Sequence, residues 1–142
     1  MLSERQGGGW FLFRRCDKPN QDWNHGWGAA PANLLPRYVL GVEPLEPGYA
    51  KALVWPRAGA DVTWAHGKVP TPKGAIILDW KRTAIGFTLT TELPARMEAQ
   101  VRLPDTWGAE VLVDGKPLKG RLQDRAIEVV ASAGKHEFKV GQ

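Results

Sequence analysis

Short apolar runs separated by glycine and proline dominate the chain from about residue 48 onward. The 142 residues contain 16 Gly and 11 Pro, and no uninterrupted helical pattern follows Pro47. Runs of this length between turn signals are typical of β-strands. They read AKALVWP, DVTWAHGKV, GAIILDW, AIGFTLTTEL, RMEAQVRLP, AEVLVDGKPL, AIEVVA and KHEFKVG. The spacing predicts a mainly β fold, an antiparallel β-sandwich of seven to eight strands preceded by one kinked α-helix.

Two of these runs carry the clearest strand signals. In the run over 96–104, Met97, Ala99, Val101 and Leu103 alternate with polar residues, which is typical of a half-buried strand. Within AEVLVDGKPL, the Asp114-Gly115 pair is a two-residue hairpin signal.

A helical pattern precedes the strands, over 27–40. Apolar residues recur there every three or four positions, at Trp27, Ala30, Leu34 and Tyr38. Asn24 is the predicted N-cap. Pro36 falls late enough to kink the helix, and Gly41 is a natural stop. Positions 1–23 show no regular pattern, apart from a glycine run and an apolar patch.

Composition excludes several classes of protein. Hydrophobic residues make up 43%, enough for a packed core, and the length suits one domain with an appendage. The net charge of +4 is spread along the chain, so we expect no nucleic-acid partner. The single cysteine, Cys16, excludes an internal disulfide. With neither a membrane-spanning run nor a signal-peptide pattern, the chain is expected to be cytoplasmic, or separated from whatever carried its export signal.

Motifs over residues 18–104 resemble the C-terminal part of bacterial α-L-rhamnosidases of glycoside hydrolase family 78. They are NHGWGAAP at the start of the helix, PRYVLG at its end, LEPGY in the linker and VPTPKG at the start of a later strand. The resemblance implies that the helix is the last of an α/α toroid and that a β-sandwich domain follows. The division expected is 1–23, irregular; 24–47, helix and linker; and 48–142, the C-terminal β-sandwich.

The N-terminal segment departs from the family pattern. The sequence QGGGWFLFRRC stands where the family has a stretch rich in Thr and Trp with a glutamate. The chain is therefore either a truncated or frame-shifted product of a larger gene or a natural short protein.

Catalysis by this chain alone is not expected. Glycoside hydrolysis needs two carboxyl groups across the scissile bond, and in the family resembled these come from the toroid, upstream of this segment. The nearest acids are Asp22, Glu43 and Glu46. Glu43 and Glu46 flank a proline linker at the helix end opposite His25, so we predict no catalytic residues.

The aromatic residues could bind a saccharide even though no catalytic residues are predicted. By resemblance His25 faces the sugar pocket, where Trp23 and Trp27 could form apolar walls. Of the tryptophans at 55, 64, 80 and 107, Trp107 follows LPDT in a predicted loop and is expected to be the most exposed. The alternative is that these tryptophans are packing residues and that His25, Trp23 and Trp27 are remnants of a site.

No cofactor or metal is expected. The three histidines and Cys16 lack zinc-like spacing, and neither a calcium loop nor a phosphate-binding loop is present.

Three functions remain open from the sequence. The chain is the non-catalytic C-terminal portion of an α-L-rhamnosidase-like enzyme, a free-standing carbohydrate-binding module, or a small glycosidase whose site forms between chains. The apolar helix predicts a homo-oligomer through residues 27–40. Any saccharide site with one exposed ring should bind with a dissociation constant on the order of millimolar.

Overall fold

The structure is a computed structural model that describes residues 30–57, 59 and 61–141. The chain divides into two compact units, Met1–Asn33 and Leu34–Gln142. Of the first unit, residues 30–33 are described, and they belong to helix α1, Ala30–Leu34. The second unit contains the sandwich. No helix in the described ranges is long and apolar enough to cross a membrane.

A wide helical turn follows α1. Residues Leu35–Leu40 form a π-helical segment with Pro36 at its start. Because proline has no N–H to donate, the regular α-helical hydrogen bonding cannot continue through residue 36. Gly41 ends the segment at φ 79°, and its N–H donates to the Pro36 carbonyl. Pro36 was predicted to kink or split the helix and Gly41 to end it; the structure changes from α- to π-helix at Leu35 and ends the helical segment at Gly41.

Eleven strands occur in the described part of the chain, arranged in two sheets. Their bounds are β1 Val42–Pro44, β2 Lys51–Val54, β3 Trp64–Thr71, β4 Gly74–Arg82, β5 Gly86–Leu93, β6 Glu98–Pro104, β7 Glu110–Val113, β8 Lys116–Lys119, β9 Arg121–Gln123, β10 Ala126–Ala131 and β11 Gly134–Gly141. Sheet 1 has the order β1-β2-β6-β10-β9, and sheet 2 the order β3-β4-β5-β11-β7-β8.

The predicted mainly β sandwich is confirmed, and the structure divides it more finely than the sequence indicated. The Asp114-Gly115 hairpin separates β7 from β8, whereas β1 and β9 are three-residue strands that pair at the edges of sheet 1. All pairings are antiparallel among the strands described except that of β2 with β6, which is parallel. The division into segments 1–23, 24–47 and 48–142 stays a prediction.

The core lies between the two sheets. Strands β4, β5 and β11 contribute buried residues from sheet 2, and β2, β6 and β10 contribute them from sheet 1. The predicted alternation over 97–103 is confirmed, because Met97, just before β6, and Ala99, Val101 and Leu103 within it are buried. Trp80 is fully buried and stacks on Phe87, with 5.8 Å between ring centroids.

Candidate functional site

A groove lies at one end of sheet 2. Its volume is about 870 Å³, and residues far apart in sequence line it: Ile85, Trp107, Gly108, Ala109, Glu110, Leu112, Lys119, Gly120, Lys139 and Gly141. Leu112 and Lys139 lie side by side because β7 pairs with β11 in that register. Between them, the lining residues supply one indole, two exposed aliphatic side chains, two ammonium groups and one carboxylate.

A hydrogen bond from the indole N–H holds Trp107 in place. Its indole nitrogen donates to the Ala84 carbonyl at 3.2 Å, and the side chain is half-buried against the core. Gly141 makes this packing feasible, since a Cβ there would lie 2.8 Å from the Trp107 Cβ and would also overlap the Ile85 carbonyl. With the nitrogen occupied, the indole offers the groove an apolar surface rather than a donor.

The expectation that Trp107 would be the most exposed tryptophan is wrong. Among the tryptophans in the described ranges, Trp64 is the most exposed, with 66% of its surface accessible. Trp55 is half-buried, and the guanidinium groups of Arg57 and Arg102 lie 4.6 and 5.1 Å from its ring centroid. Trp80 belongs to the core, as the packing interpretation predicted for most tryptophans.

Trp64 lies on the outer face of sheet 2. In β3 the inward positions are Ala65, Gly67 and Val69, and Trp64 alternates with them. Trp64 pairs with Lys81, Lys81 with Thr88, and Thr88 with Lys139. These four side chains, called the outer row below, point away from the core and end at the groove, because Lys139 also lines it.

A charged and aromatic cluster fastens the π-helical segment to sheet 1. Glu43 pairs with Arg37, at 2.9 Å from its Nε, and with Arg57. The hydrogen bond and the charge of Glu43 raise the pKa of Arg37. The Arg57 guanidinium also lies 5.2 Å from the Tyr38 ring centroid. Glu43 therefore serves an ion-pair network in this structure.

The predicted sugar-contacting residues near the helix start, Trp23, His25 and Trp27, lie outside the described residues, as does Asp22. Their role stays a prediction, as does that of Trp107. Within the described residues, no group of three or more His, Cys, Asp or Glu side chains could hold a metal ion.

Sequence reasoning missed the groove and the outer row. Lys119, Lys139 and Ile85 carry no local motif and line one groove only in the folded chain. The one available signal was the alternation in β3, where Trp64 shares its face with His66 and Lys68 and opposes Ala65, Gly67 and Val69.

Comparison with known proteins then fixes the family. A family model described as the bacterial alpha-L-rhamnosidase C-terminal domain matches residues 41–116, which is more than half of the chain. The chain belongs to this α-L-rhamnosidase C-terminal domain family. The match begins at Gly41 and ends at Lys116, so it includes β1 to β7 and Trp107.

The α-L-rhamnosidases that are similar to this chain are much longer than it is. An α-L-rhamnosidase from Alteromonas sp. (strain LOR) is 31% identical over 83 residues, which are 57% of this chain and 9% of that protein. An α-L-rhamnosidase from Formosa agariphila is 26% identical over 129 residues, 86% of this chain and 14% of that protein. The chain thus spans less than a sixth of either relative.

The fold is shared with solved structures. The α-L-rhamnosidase of Dictyoglumus thermophilum superposes with a TM-score of 0.74 at 21% identity, over 82% of this chain and 14% of that one. At this identity the likeness concerns the fold alone. The predicted resemblance to the C-terminal part of α-L-rhamnosidases is confirmed by the family match.

Proposed function

We propose that the chain is the non-catalytic C-terminal portion of an α-L-rhamnosidase-like glycoside hydrolase, and that it docks through the apolar face of its helical segment. The observation that carries this is the exposure of three large side chains there. Leu34 is 47%, Leu35 56% and Tyr38 45% exposed. Leu34 and Tyr38 are four residues apart and lie on one side of the helix.

The same segment is anchored to the sandwich on its other side. Leu40 packs over Gly67, where a Cβ would come within 2.5 Å of a Leu40 methyl carbon. The Trp80 indole donates to the Val39 carbonyl at 2.9 Å. One side of the segment is thus fixed while the other presents leucine and tyrosine to solvent, an arrangement typical of an interface element. The occupant we propose is the catalytic toroid that the family resemblance implies.

The test uses the chain by itself. With no toroid to cover Leu34, Leu35 and Tyr38, we expect these faces to pair between copies of the chain, as the predicted homo-oligomer. Sedimentation equilibrium over a wide concentration range should show self-association, and Leu35→Glu should abolish it. Val130→Glu, at another exposed apolar position in β10, is the matched control and should leave association unchanged.

The non-catalytic part of the proposal has its own assay. We expect no hydrolysis of aryl α-L-rhamnoside above the buffer rate, because glycosidases need two carboxyl groups across the scissile bond and the family resemblance implies that the toroid supplies them. Turnover that Glu46→Gln removes would instead support the small glycosidase formed between chains. A chain that stays monomeric at high concentration would contradict the docking face.

A second proposed function is saccharide binding in the groove beside Trp107. The supporting observation is a concave surface of about 870 Å³ with an indole, aliphatic side chains and charged groups in its lining, the combination that small-ligand sites use. Calorimetric titration with rhamnose, rhamnogalacturonan, xylan and β-glucans tests it. We expect millimolar binding that Trp107→Ala removes, and no binding to any of them would refute it.

A further inference from the structure

The outer row forms a line of hydrophilic side chains that starts at an exposed tryptophan. Trp64, Lys81, Thr88 and Lys139 come from β3, β4, β5 and β11, which are consecutive neighbours in sheet 2. Adjacent strands lie about 4.8 Å apart, so the row from Trp64 to Lys139 spans about 14 Å. A ligand that contacts all four must be extended and must lie across the strands.

The surroundings of Trp64 determine the kind of ligand. In the next row, His66 lies 3.4 Å from Asp79, and these groups are polar and exposed. Protein-docking surfaces have an apolar centre with charged residues depleted, whereas here one indole is surrounded by charged groups and a hydroxyl. A saccharide presents C–H faces that an indole can cover, together with oxygens that these polar groups can bind.

The charge of the outer row restricts the class of ligand further. The outer row contains two ammonium groups and no carboxylate. Lys139 forms an ion pair with Glu137, with 3.1 Å between Nζ and Oε2. Lys81 has no ion-pair partner among the residues that the structure describes. In the groove, Lys119 pairs in register with Glu110. The outer row is therefore a net positive line, complementary to an anionic ligand.

The outer row and the groove form a continuous surface. Lys139 belongs to both, and its register partner Leu112 lines the groove. Trp64 and Trp107 consequently lie at opposite ends of one path, with Lys81, Thr88 and Lys139 between them. A saccharide seated beside Trp107 would meet the lysines as it extended toward β3.

We propose that this path binds an acidic, uronic-acid-containing oligosaccharide, with Trp64 covering a sugar face and Lys81 and Lys139 contacting the carboxylates. The proposal rests on saccharide binding in the groove, and it adds the class of saccharide and a second aromatic contact.

The experiment titrates the full chain with galacturonic acid oligomers and with their methyl esters, which keep the backbone and remove the charge. Amide and indole N–H signals followed by NMR give both affinity and location. We expect the acid form to bind more tightly, to shift the Trp64 indole signal and to weaken as salt is added. Trp64→Ala and Lys81→Gln should each weaken binding about threefold to tenfold.

The matched control is Lys68→Gln, which removes the same charge from the outer face of β3, four residues from Trp64. It should change the affinity by less than about twofold. Circular dichroism confirms that each variant stays folded.

Other results would overturn the proposal in distinguishable ways. Equal affinity for the acid and the ester, or loss only on Trp107→Ala, would leave the groove as a saccharide site and remove the acidic path. No binding of either form, nor of rhamnose, xylan or β-glucans, would remove both. Equal binding of a single-stranded DNA oligomer, with the same dependence on Lys81, would identify a site for any polyanion instead.

Discussion

The indole nitrogen of Trp80 donates a hydrogen bond to the main-chain carbonyl of Val39, 2.9 Å away and 41 residues earlier in the chain. The last carbonyls of a helix have no partner within the helix, and Val39 is one residue from the end of the π-helical segment. Trp80 is fully buried in the core. One side chain therefore satisfies the end of the helical segment and fixes it to the sandwich.

Replacing Trp80 tests this connection. Trp80→Phe removes the donor and part of the buried volume, so we expect the free energy of unfolding to fall by about 2–4 kcal/mol. Urea denaturation followed by circular dichroism measures it. Trp64→Phe, at the exposed position, should change stability by less than about 0.5 kcal/mol. Equal effects of the two substitutions would contradict the role assigned to Trp80.

Gly41 and Gly115 provide a second matched pair. Their φ angles are 79° and 78°, but a Cβ on Gly41 would overlap the main chain of Trp55 and Pro56, whereas Gly115 has open space. Gly115→Ala should therefore lower the free energy of unfolding only through backbone strain, by about 1 kcal/mol. Gly41→Ala should lower the free energy of unfolding by about 3 kcal/mol or more, because the clash with the main chain of Trp55 and Pro56 adds to the backbone strain. Thermal denaturation of both variants compares them, and similar shifts in Tm would show that the clash is relieved.

Thr91 is a site where a substitution should stabilise the fold. Its side chain is fully buried in β5, and its hydroxyl finds no hydrogen-bond partner among the residues described. Thr91→Val removes an unsatisfied polar group and nearly keeps its shape, so unfolding should become about 1 kcal/mol more costly. Thr90→Val, on the outer face, should have little effect. A loss of stability in Thr91→Val would mean that the hydroxyl is bonded.

Asp114 should make stability depend on pH. It begins the β7–β8 hairpin turn, and the Glu137 main-chain N–H, followed by His136, lowers the pKa of its carboxyl below the usual 3.8. The charged form is the one favoured by folding. This contribution is therefore present above pH 3.8 and is lost as the pH falls through the lowered pKa.

The variant that tests this is Asp114→Asn, which suits the same turn. It should reduce stability at pH 6, and the reduction should shrink as the pH falls below 3.8 and through the lowered pKa of the carboxyl. Urea titrations at pH 6 and at a series of lower pH values decide the outcome. A stability difference between the unmodified chain and the Asp114→Asn variant that does not vary with pH would show that the charge is unimportant.

Patterns confined to one segment were readable from the sequence, and contacts between segments were not. The alternation of Met97 to Leu103 and the Asp114-Gly115 turn are local, and both predictions are confirmed. Strand β1, by contrast, lies in a stretch rich in proline that read as linker, and it becomes a strand only by pairing with β2. The parallel pairing of β2 with β6 likewise has no local signature.

The position of Trp64 shows why candidate site residues are harder to predict than strands. Large aromatic residues are usually placed in the core, which favoured packing roles for most tryptophans. Leu40 instead occupies the space above β3, and the residue beneath it is Gly67. The helical segment thereby fills the inner side of β3, and the alternation leaves Trp64 on the outside.

The parallel pairing of β2 with β6 has a consequence for the order in which the molecule assembles. Strands β3, β4 and β5 are joined by short turns, so they can pair with one another locally. Strand β2 pairs instead with β6, about 45 residues further along the chain. Closing so long a loop is entropically costly. We therefore expect amide protons in β1 and β2 to exchange with solvent sooner than those of β4 and β5. The β1–β2 edge of sheet 1 would then open first, while the helical segment stays attached to sheet 2 through Trp80 and Gly67.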